Sequence, residues 1–512
     1  MGTSRIYNAV SDMVDRNVEL GYGNKPAFVD PEKTLTYKGL QDGTCQMAGV
    51  LKSLGIRQET RIGLLMFDTH LYPIAFFGAI RAGIVPVCLN TLLTTDQYRY
   101  ILGDSRVEAL FVSGPLLEVV APLFDELPFL KHVIVVGGAH DTYPDLQALL
   151  EQQDSTCETA ETSADETAFW LYSSGSTGDP KGVRHVHTSM KYVADNYGQN
   201  VLGIRHEDVC FSAAKLFFAY GLGAGMAIPL SVGATTILLP ERPTPQSVLA
   251  VLGTHNPTLF FGVPTLYAAM LADDDCIREN SSNKLRQCIS AGEALPTAIG
   301  KSWSERMGVD ILDGIGSTEM LHVFLSNRPE DIRYGTSGRE IPGYRLRLVD
   351  EEGVDVGDDE LGELLVSGGS AADGYWNQRA KSRATFAGEW THTGDKYTRD
   401  AEGYYHYAGR TDDMFKVSGR WVSPFEVEQA LASYPDVLEA AVIGQDDGAG
   451  LIKPKAFVVL KKGVGKGGLF ETLKEHVKAA IGVWKYPHWI DFVDDLPKTA
   501  TGKIQRFKLR RE

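Results

Sequence analysis

The chain has 512 residues, 43% of them hydrophobic and 23% charged, which is ordinary for a globular protein of about three domain-sized pieces. Its formal net charge of −16 argues against non-specific binding to nucleic acid or to anionic membranes. Any site for an anion must therefore be locally basic.

Short apolar runs alternate with helix-like stretches from about residue 25 to about residue 330. Examples of these runs are residues 61–66, 109–112 and 132–136. Strands that are separated by helical patterns predict parallel sheets with helices on their faces. The polar, acidic stretch 151–166 is interpreted as a surface connection to the next strand.

A loop rich in Gly, Ser and Thr follows the apolar strand at 168–172, where residues 173–182 read SSGSTGDPKG. Glycines let the backbone approach a ligand, and successive N–H groups form a nest for phosphate oxygens. The loop is not a Walker A motif, because Gly182 follows Lys181 where that motif has Ser or Thr. A flexible turn is the alternative. The fixed pair Pro180 and Lys181 favours a phosphate loop, and hence a nucleotide.

Residues 216–240 contain no charged side chain and are long enough to span a bilayer. Glycines and a proline interrupt the segment, so we interpret it as loop, buried helix and buried strand of an α/β core. The six cysteines form no Cys-x-x-Cys pair, which indicates neither a zinc site nor a disulfide framework. Free thiols and an N-terminus without a signal pattern predict a cytoplasmic protein.

Two further polar motifs occur farther along the chain. Residues 313–320 read DGIGSTEM, after a strand that we expect to end near Leu312. Thr318 could donate to a phosphate and Glu319 could hold Mg²⁺ through oxygen, although Ser317 or Thr318 could equally cap a helix. Residues 391–396 read THTGDK, in which Asp395 could accept hydrogen bonds from ribose hydroxyls or simply belong to a polar turn.

The pattern changes to short strands and Gly-rich turns at about 335–408, and changes again over the last hundred residues. At that second change lies GRTDDMFKVSG (409–419), where Arg410 offers a planar fork to phosphate or ribose. Near the end, LPKTATGKIQR (496–506) carries Lys503 at a loop tip, unless it is only a solvated basic tail.

Three further elements are predicted in the last hundred residues. A helix is expected at 422–431, with strands at 438–443 and 455–460.

His185 and His187 are interpreted as polar residues at a helix start, because no third metal ligand occurs at a useful spacing.

In content, order and spacing, these five motifs resemble the adenylate-forming superfamily of acyl-CoA synthetases, peptide-synthetase adenylation domains and luciferases. The resemblance implies an α/β fold with an N-terminal domain at 1–410, made of two stacked αβ subdomains and a small β-barrel subdomain. It also implies a small, mobile α+β domain at 411–512. The implied reaction joins a carboxylate to the α-phosphorus of ATP, releasing pyrophosphate, and a thiol then displaces AMP.

Four segments, at 211–223, 241–245, 290–296 and 316–322, are similar to those of benzoate and hydroxybenzoate–CoA ligases. They imply an aromatic acid, ATP, Mg²⁺ and CoA as ligands, with 4-hydroxybenzoate favoured over benzoate. No acidic residue occurs between Phe211 and Pro240, which counts against amino-acid adenylation. Another carboxylate–CoA ligase, a stand-alone enzyme that loads a carrier protein, and a non-catalytic nucleotide-binding protein remain alternatives. Neither nucleic acid nor membrane is expected as a partner, and monomer and homodimer stay open.

The resemblance also implies roles for individual residues. The adenylation step, in which two anions meet, is assigned to Lys503, Thr318 and Glu319, with Mg²⁺ on Glu319. The residues assigned to ATP or AMP are Ser173, Ser174, Gly175, Ser176, Thr177, Gly178, Lys181, Gly292, Glu293, Asp313, Gly314, Thr318, Asp395 and Arg410. The residues assigned to the acid pocket are Ala219, Tyr220, Ala291, Gly316, His322 and Val323. The hinge is assigned to Asp412, and the CoA side to Lys416 and Gly419. His322 could pair with a ring hydroxyl or be a structural histidine.

Overall fold

The chain divides into two units in the computed structural model. The first unit comprises Met1–Arg345 and Val366–Thr391, and the second comprises Leu346–Leu365 and His392–Glu512. The boundary predicted between residues 410 and 411 falls inside the second unit and stays a prediction. The structure describes residues 6–138, 140–173, 179–417, 420–448, 451–482, 484–498 and 504–510.

A nine-stranded sheet in the first unit is parallel in its centre and antiparallel at both ends. In sheet order its strands are Arg339–Glu340, Val323–Ser326, Ile311–Gly316, Gln287–Ser290, Leu259–Gly262, Val209–Ser212, Thr235–Ile237, Pro26–Val29 and Thr34–Thr36. The central strands are fully buried because helices cover parallel sheets. Phe260, Tyr267 and Trp303 lie in this core, with the rings of Tyr267 and Trp303 edge to face at 4.7 Å.

A seven-stranded sheet in the same unit carries the predicted phosphate loop. In sheet order its strands are Gly374–Tyr375, Lys181–Val186, Thr167–Ser173, Val85–Cys88, Arg61–Leu65, Ala109–Ser113 and His132–Val136. Strand Thr167–Ser173 pairs antiparallel with Lys181–Val186, so the loop between them joins two adjacent strands of one sheet. The short strand Phe386–Ala387 also belongs to this unit but not to this sheet, and it pairs antiparallel with Trp390 and Thr391.

Some helices of the first unit begin after a Thr or Asp residue that caps them. Thr36 accepts a hydrogen bond from the backbone N–H of Gly39, and Thr244 forms a capping box with Ser247. The α-helices are Tyr37–Ser53, Leu71–Arg81, Thr95–Ser105, Leu117–Val120, Leu146–Leu150, Thr188–Val193, Ala219–Leu222, Ile228–Leu230, Pro245–His255, Pro264–Leu271, Thr297–Met307 and Arg379–Thr385. The 3₁₀ helices are Gly114–Leu116, Ala121–Glu126 and Arg278–Asn280. The π-helices are Ser11–Asp15, Val18–Tyr22, Ala194–Gln199 and Gly223–Ala227.

The uncharged segment 216–240 forms the short helical stretch 219–230 and the buried strand Thr235–Ile237. This matches the predicted loop, helix and strand of an α/β core. Within the part of the chain that the structure describes, no helix has both the length and the apolar character needed to cross a membrane.

The second unit is α+β. One sheet contains Arg345–Val349, Gly362–Ser367, Trp390–Arg399 and Tyr405–Arg410; a hairpin pairs Phe415–Val417 with Arg420–Val422; a third sheet contains Val437–Asp446, Ile452–Leu460 and Trp489–Phe492. Its helices are Pro424–Ala432, Leu469–Ile481 and Arg506–Leu509. The predicted helix and the two predicted strands of this region are confirmed, and so is the α/β class of the whole chain.

Candidate functional site

Three side chains surround Glu319 in the first unit. The Tyr375 hydroxyl donates to Glu319 Oε1 at 2.8 Å, and Ser173 Oγ donates to the same oxygen at 3.4 Å. Lys181 Nζ lies 3.9 Å from Glu319 Oε1 and donates to the Tyr375 hydroxyl at 3.3 Å. The structure therefore brings three predicted site residues together, and it adds Tyr375, which the sequence analysis missed.

Both ends of the phosphate loop lie in this cluster because of strand pairing. Ser173 ends one strand and Lys181 begins the next, and the two residues are partners in the antiparallel register. Five residues assigned to ATP, Ser174, Gly175, Ser176, Thr177 and Gly178, lie outside the described residues.

The strand before Glu319 is longer than predicted, because it continues through Leu312 to Gly316. The expectation that it ends near Leu312 is wrong, since strand Val323–Ser326 pairs with its last residues. An added Cβ at Gly316 would overlap the carbonyl oxygen of His322, which explains glycine at this close approach. Ser317 Oγ accepts from the backbone N–H of Met320 at 3.2 Å within a turn, so the considered helix cap is wrong as well.

Thr318 is held in place by a histidine that the sequence analysis took for a residue at a helix start. His185 lies in strand Lys181–Val186, is fully buried and stacks on Phe169 at 5.2 Å. Its Nε2 lies 2.8 Å from the carbonyl oxygen of Thr318, and a carbonyl only accepts, so Nε2 carries the proton. Burial lowers the pKa of His185 to about 4, which keeps the ring neutral. The only sequence signal was its position four residues after Lys181.

His187, in contrast, directly precedes helix Thr188–Val193, as predicted. Its Nδ1 accepts from the backbone N–H of Ala9 at 3.2 Å. Among the described residues, no group of three or more His, Cys, Asp or Glu side chains could hold a metal ion.

Asp313 links its strand to the loop that contains Gly292 and Glu293. Asp313 Oδ2 accepts from the backbone N–H of Leu295 at 3.2 Å, and burial raises the pKa of Asp313 to about 8. Gly292 is exposed with φ +97°, which favours glycine, and Glu293 is half-buried. Gly314 is packed inside the sheet, where an added Cβ would lie 2.9 Å from the carbonyl oxygen of Leu325.

The residues assigned to the acid pocket come from three segments that meet at Tyr220 and His322. His322 Nε2 donates to the carbonyl oxygen of Tyr220 at 3.2 Å, and the two rings lie 5.4 Å apart. The Tyr220 hydroxyl donates to the carbonyl oxygen of Ile289 at 3.2 Å, two residues before Ala291. Ala219 begins the helix that carries Tyr220, and Val323 pairs with Gly316.

His322 is buried and neutral, because burial lowers its pKa to about 4. With the proton on Nε2, Nδ1 is an acceptor, and it has no hydrogen-bond partner among the described residues. Gly223 packs directly against this ring, since an added Cβ would overlap His322 Cδ2. Sequence reasoning named His322 but missed Gly223.

In the second unit, the residues assigned to ribose form a cross-strand pair. Arg410 Nη1 donates to Asp395 Oδ1 at 3.1 Å and to the carbonyl oxygen of Thr393 at 2.9 Å. Lys416 Nζ lies 4.4 Å from the ring centroid of Trp421 and 3.6 Å from Glu351 Oε1. Gly419 and Lys503 lie outside the described residues.

Asp413, the residue after the assigned hinge Asp412, forms ion pairs with two arginines, Arg506 and Arg510. Arg506 Nη1 lies 3.2 Å from Asp413 Oδ2, and Arg510 Nη2 lies 2.7 Å from Asp413 Oδ1. Arg510 also donates to the carbonyl oxygen of Asp412 at 3.4 Å. Sequence analysis quoted Arg506 within its motif but assigned it no role.

Residues 15–376 match the AMP-binding enzyme family, and residues 426–503 match the AMP-binding enzyme C-terminal domain. The chain is 57% identical to the 4-hydroxybenzoate–CoA/benzoate–CoA ligase of Rhodopseudomonas palustris, over 99% of this chain and 94% of that protein. It is 53% identical to the benzoate–CoA ligase of Thauera aromatica, over 98% and 96%. The crystal structure of the anthranilate CoA ligase AuaEII in complex with anthranoyl-AMP superposes with a TM-score of 0.95 at 44% identity, over 99% and 98%.

Proposed function

Because the chain belongs to the AMP-binding enzyme family, we propose that it is an ATP-dependent aryl carboxylate–CoA ligase. It would convert benzoate or a hydroxybenzoate, with ATP and CoA, to the aryl-CoA thioester, AMP and pyrophosphate. One observation carries the proposal beyond the family. The short segment 316–323 has Glu319, beside both ends of the phosphate loop, and His322, against Tyr220. One stretch of chain therefore links the phosphate side to the acid side.

In the adenylation half-reaction the carboxylate oxygen attacks the α-phosphorus of ATP and pyrophosphate leaves. Two anions approach each other, so the main requirement is positive charge and hydrogen-bond donors that are already in position. Lys181 supplies a cation at the phosphate loop, and Ser173 supplies a hydroxyl donor. The Thr318 hydroxyl is proposed to donate to the α-phosphate, with Lys503 bridging that phosphate and the carboxylate.

Glu319 fits the role of magnesium ligand. The side-chain donors Ser173 and Tyr375 both use Oε1, and no described residue donates to Oε2. One carboxylate together with substrate phosphates is a common protein environment for Mg²⁺. When bound, the ion neutralises phosphate charge.

The second unit is proposed to serve both half-reactions. Asp395 and Arg410 would hold the ribose, and rotation at Asp412 would exchange Lys503 for Lys416 and Gly419 on the CoA side. We place the reaction in the cytoplasm, where ATP and CoA are available, in accord with the six free cysteines predicted from the sequence.

Among aryl acids we favour 4-hydroxybenzoate over benzoate. Neutral His322 uses Nε2 for Tyr220 and leaves Nδ1 as an acceptor, and a ring hydroxyl is a donor. The acid pocket would place the ring against Tyr220, with the small side chain of Ala219 leaving space for it.

The test is acid-dependent pyrophosphate exchange with benzoate, 3- and 4-hydroxybenzoate and hexanoate, followed by thioester formation with CoA as the sole thiol. We expect exchange with the aryl acids and release of aryl-CoA. Exchange with hexanoate alone would contradict the aryl assignment and favour another carboxylate–CoA ligase. Exchange without aryl-CoA would favour an enzyme that loads a carrier protein.

A further inference from the structure

Backbone pairing around Tyr375 joins it to the strand that begins at Lys181 and to Glu319. It lies in strand Gly374–Tyr375, which pairs antiparallel with Val183 and Arg184. The backbone N–H of Trp376 donates to the carbonyl oxygen of Gly182 at 2.8 Å. The backbone N–H of Ala372 donates to the carbonyl oxygen of Glu319 at 2.8 Å. The residue is 5% exposed, so its side chain is fixed by its surroundings.

The Tyr375 hydroxyl lies between a cation and an anion. It donates its proton to Glu319 Oε1 at 2.8 Å, and its oxygen accepts from Lys181 Nζ at 3.3 Å. The Lys181 ammonium also lies 4.5 Å from the ring centroid, within cation–π range. The direct distance from Lys181 Nζ to Glu319 Oε1 is 3.9 Å, longer than a hydrogen bond.

We propose that Tyr375 is a positioning residue that keeps Lys181 and Glu319, now 3.9 Å apart, from closing to a direct hydrogen-bonded ion pair. This inference rests on the proposed function, because it assumes that ATP is the ligand. A direct pair would neutralise the ammonium and the carboxylate together. The phosphates would then lose a cation, and Mg²⁺ would lose a carboxylate. With the hydroxyl in between, each charge stays available to its own ligand.

The test is Tyr375→Phe, which removes the hydroxyl and keeps the ring under Lys181. ATP binding is measured by calorimetry at a series of Mg²⁺ concentrations, together with the KM values for ATP and for the aryl acid. We expect ATP affinity to fall about tenfold or more, since a hydrogen bond to a charged group is lost. We also expect half-maximal binding to require more Mg²⁺, while the KM for the aryl acid changes less than about twofold.

Tyr344→Phe is the matched control, because that hydroxyl is also buried and pairs with Ser370 Oγ at 2.8 Å. It should leave the Mg²⁺ dependence unchanged. Lys181→Met provides a second test, since without the ammonium no direct pair can close on Glu319. Adding Tyr375→Phe to Lys181→Met should then have a much smaller effect on Mg²⁺ dependence than it has alone.

Three results would overturn the inference. They are an unchanged Mg²⁺ dependence in Tyr375→Phe, an equal loss of ATP and aryl-acid affinity, and an undiminished effect in the Lys181→Met background. The last two would indicate that the hydroxyl only stabilises the fold. Failure of the proposed function would look different, because wild-type protein would then bind Mg²⁺ and ATP without converting any aryl acid.

Discussion

Arg506 and Glu428 form a bidentate ion pair in the second unit. Arg506 Nε donates to Glu428 Oε1 at 2.9 Å, and Arg506 Nη2 donates to Oε2 at 2.6 Å. The backbone N–H of Val442 also donates to Oε1 at 2.7 Å, and Glu428 is 7% exposed. In the sequence, Arg506 follows the proposed catalytic lysine, Lys503, by three residues.

Glu428→Gln should therefore weaken both stability and adenylation. The substitution removes one of the two carboxylates that pair with Arg506 and leaves Asp413 as the other. The cost should therefore stay below the roughly 3–5 kcal/mol of a buried charge left without any partner. We expect a lower Tm and a larger fall in pyrophosphate exchange than in thioester formation from supplied acyl-AMP. Arg399→Gln is the control, because its pair with Asp358 is about half exposed and contributes at most about 1 kcal/mol. Equal losses in both half-reactions would contradict a role in positioning Lys503.

Lys503→Ala should block the adenylation half-reaction. Loss of a cation that bridges the carboxylate and the α-phosphate should lower pyrophosphate exchange by about 100-fold or more. Conversion of supplied acyl-AMP to the thioester should stay within about threefold of the wild-type rate. Lys508→Ala, an exposed lysine near the same end of the chain, serves as the control. Equal loss in the two half-reactions would reject the alternation of the second unit.

Asp313→Asn should change how stability depends on pH. Burial raises the pKa of folded Asp313 from its ordinary 3.8 to about 8, so the folded protein keeps a proton that the unfolded chain releases. The contribution of this carboxyl to stability is complete below pH 3.8 and is lost as pH rises toward about 8.

The asparagine variant lacks this titration. Its stability relative to wild type should therefore improve with rising pH, by at most about 1.4 kcal/mol per pH unit. Tm values of both proteins at pH 5, 6, 7 and 8 measure the trend. The exposed Asp310→Asn is the control. Parallel Tm curves for Asp313→Asn and wild type would show that the buried carboxyl does not retain its proton.

Gly223→Ala should disturb the acid side of the site. The new methyl group would overlap the His322 ring, and overpacking of this kind costs about 1–3 kcal/mol. We expect a lower Tm and a raised KM for the aryl acid, with the KM for ATP little changed. Gly103→Ala is the control, since a Cβ there meets no atom within 4 Å in helix Thr95–Ser105. An unchanged aryl-acid KM would indicate that His322 does not contact the acid.

The sequence alone determined the family, because each motif is local. The composition of the loop at 173–182 by itself indicates a phosphate site. The resemblance to the adenylate-forming superfamily is confirmed. By resemblance, local segments also assigned Lys181 to the phosphates and Glu319 to Mg²⁺. They assigned Tyr220 and His322 to the acid. These roles, like those of Lys503 and Asp412, remain predictions.

Only the tertiary structure decided what stands between those residues. Tyr375 is 194 positions from Lys181 and 56 from Glu319, and strand pairing alone brings its hydroxyl between them. His185 is 133 positions from the Thr318 carbonyl that it supports. Composition and spacing report what a segment can bind. They do not report which distant side chain fills the gap between two charges, because that depends on sheet register and packing.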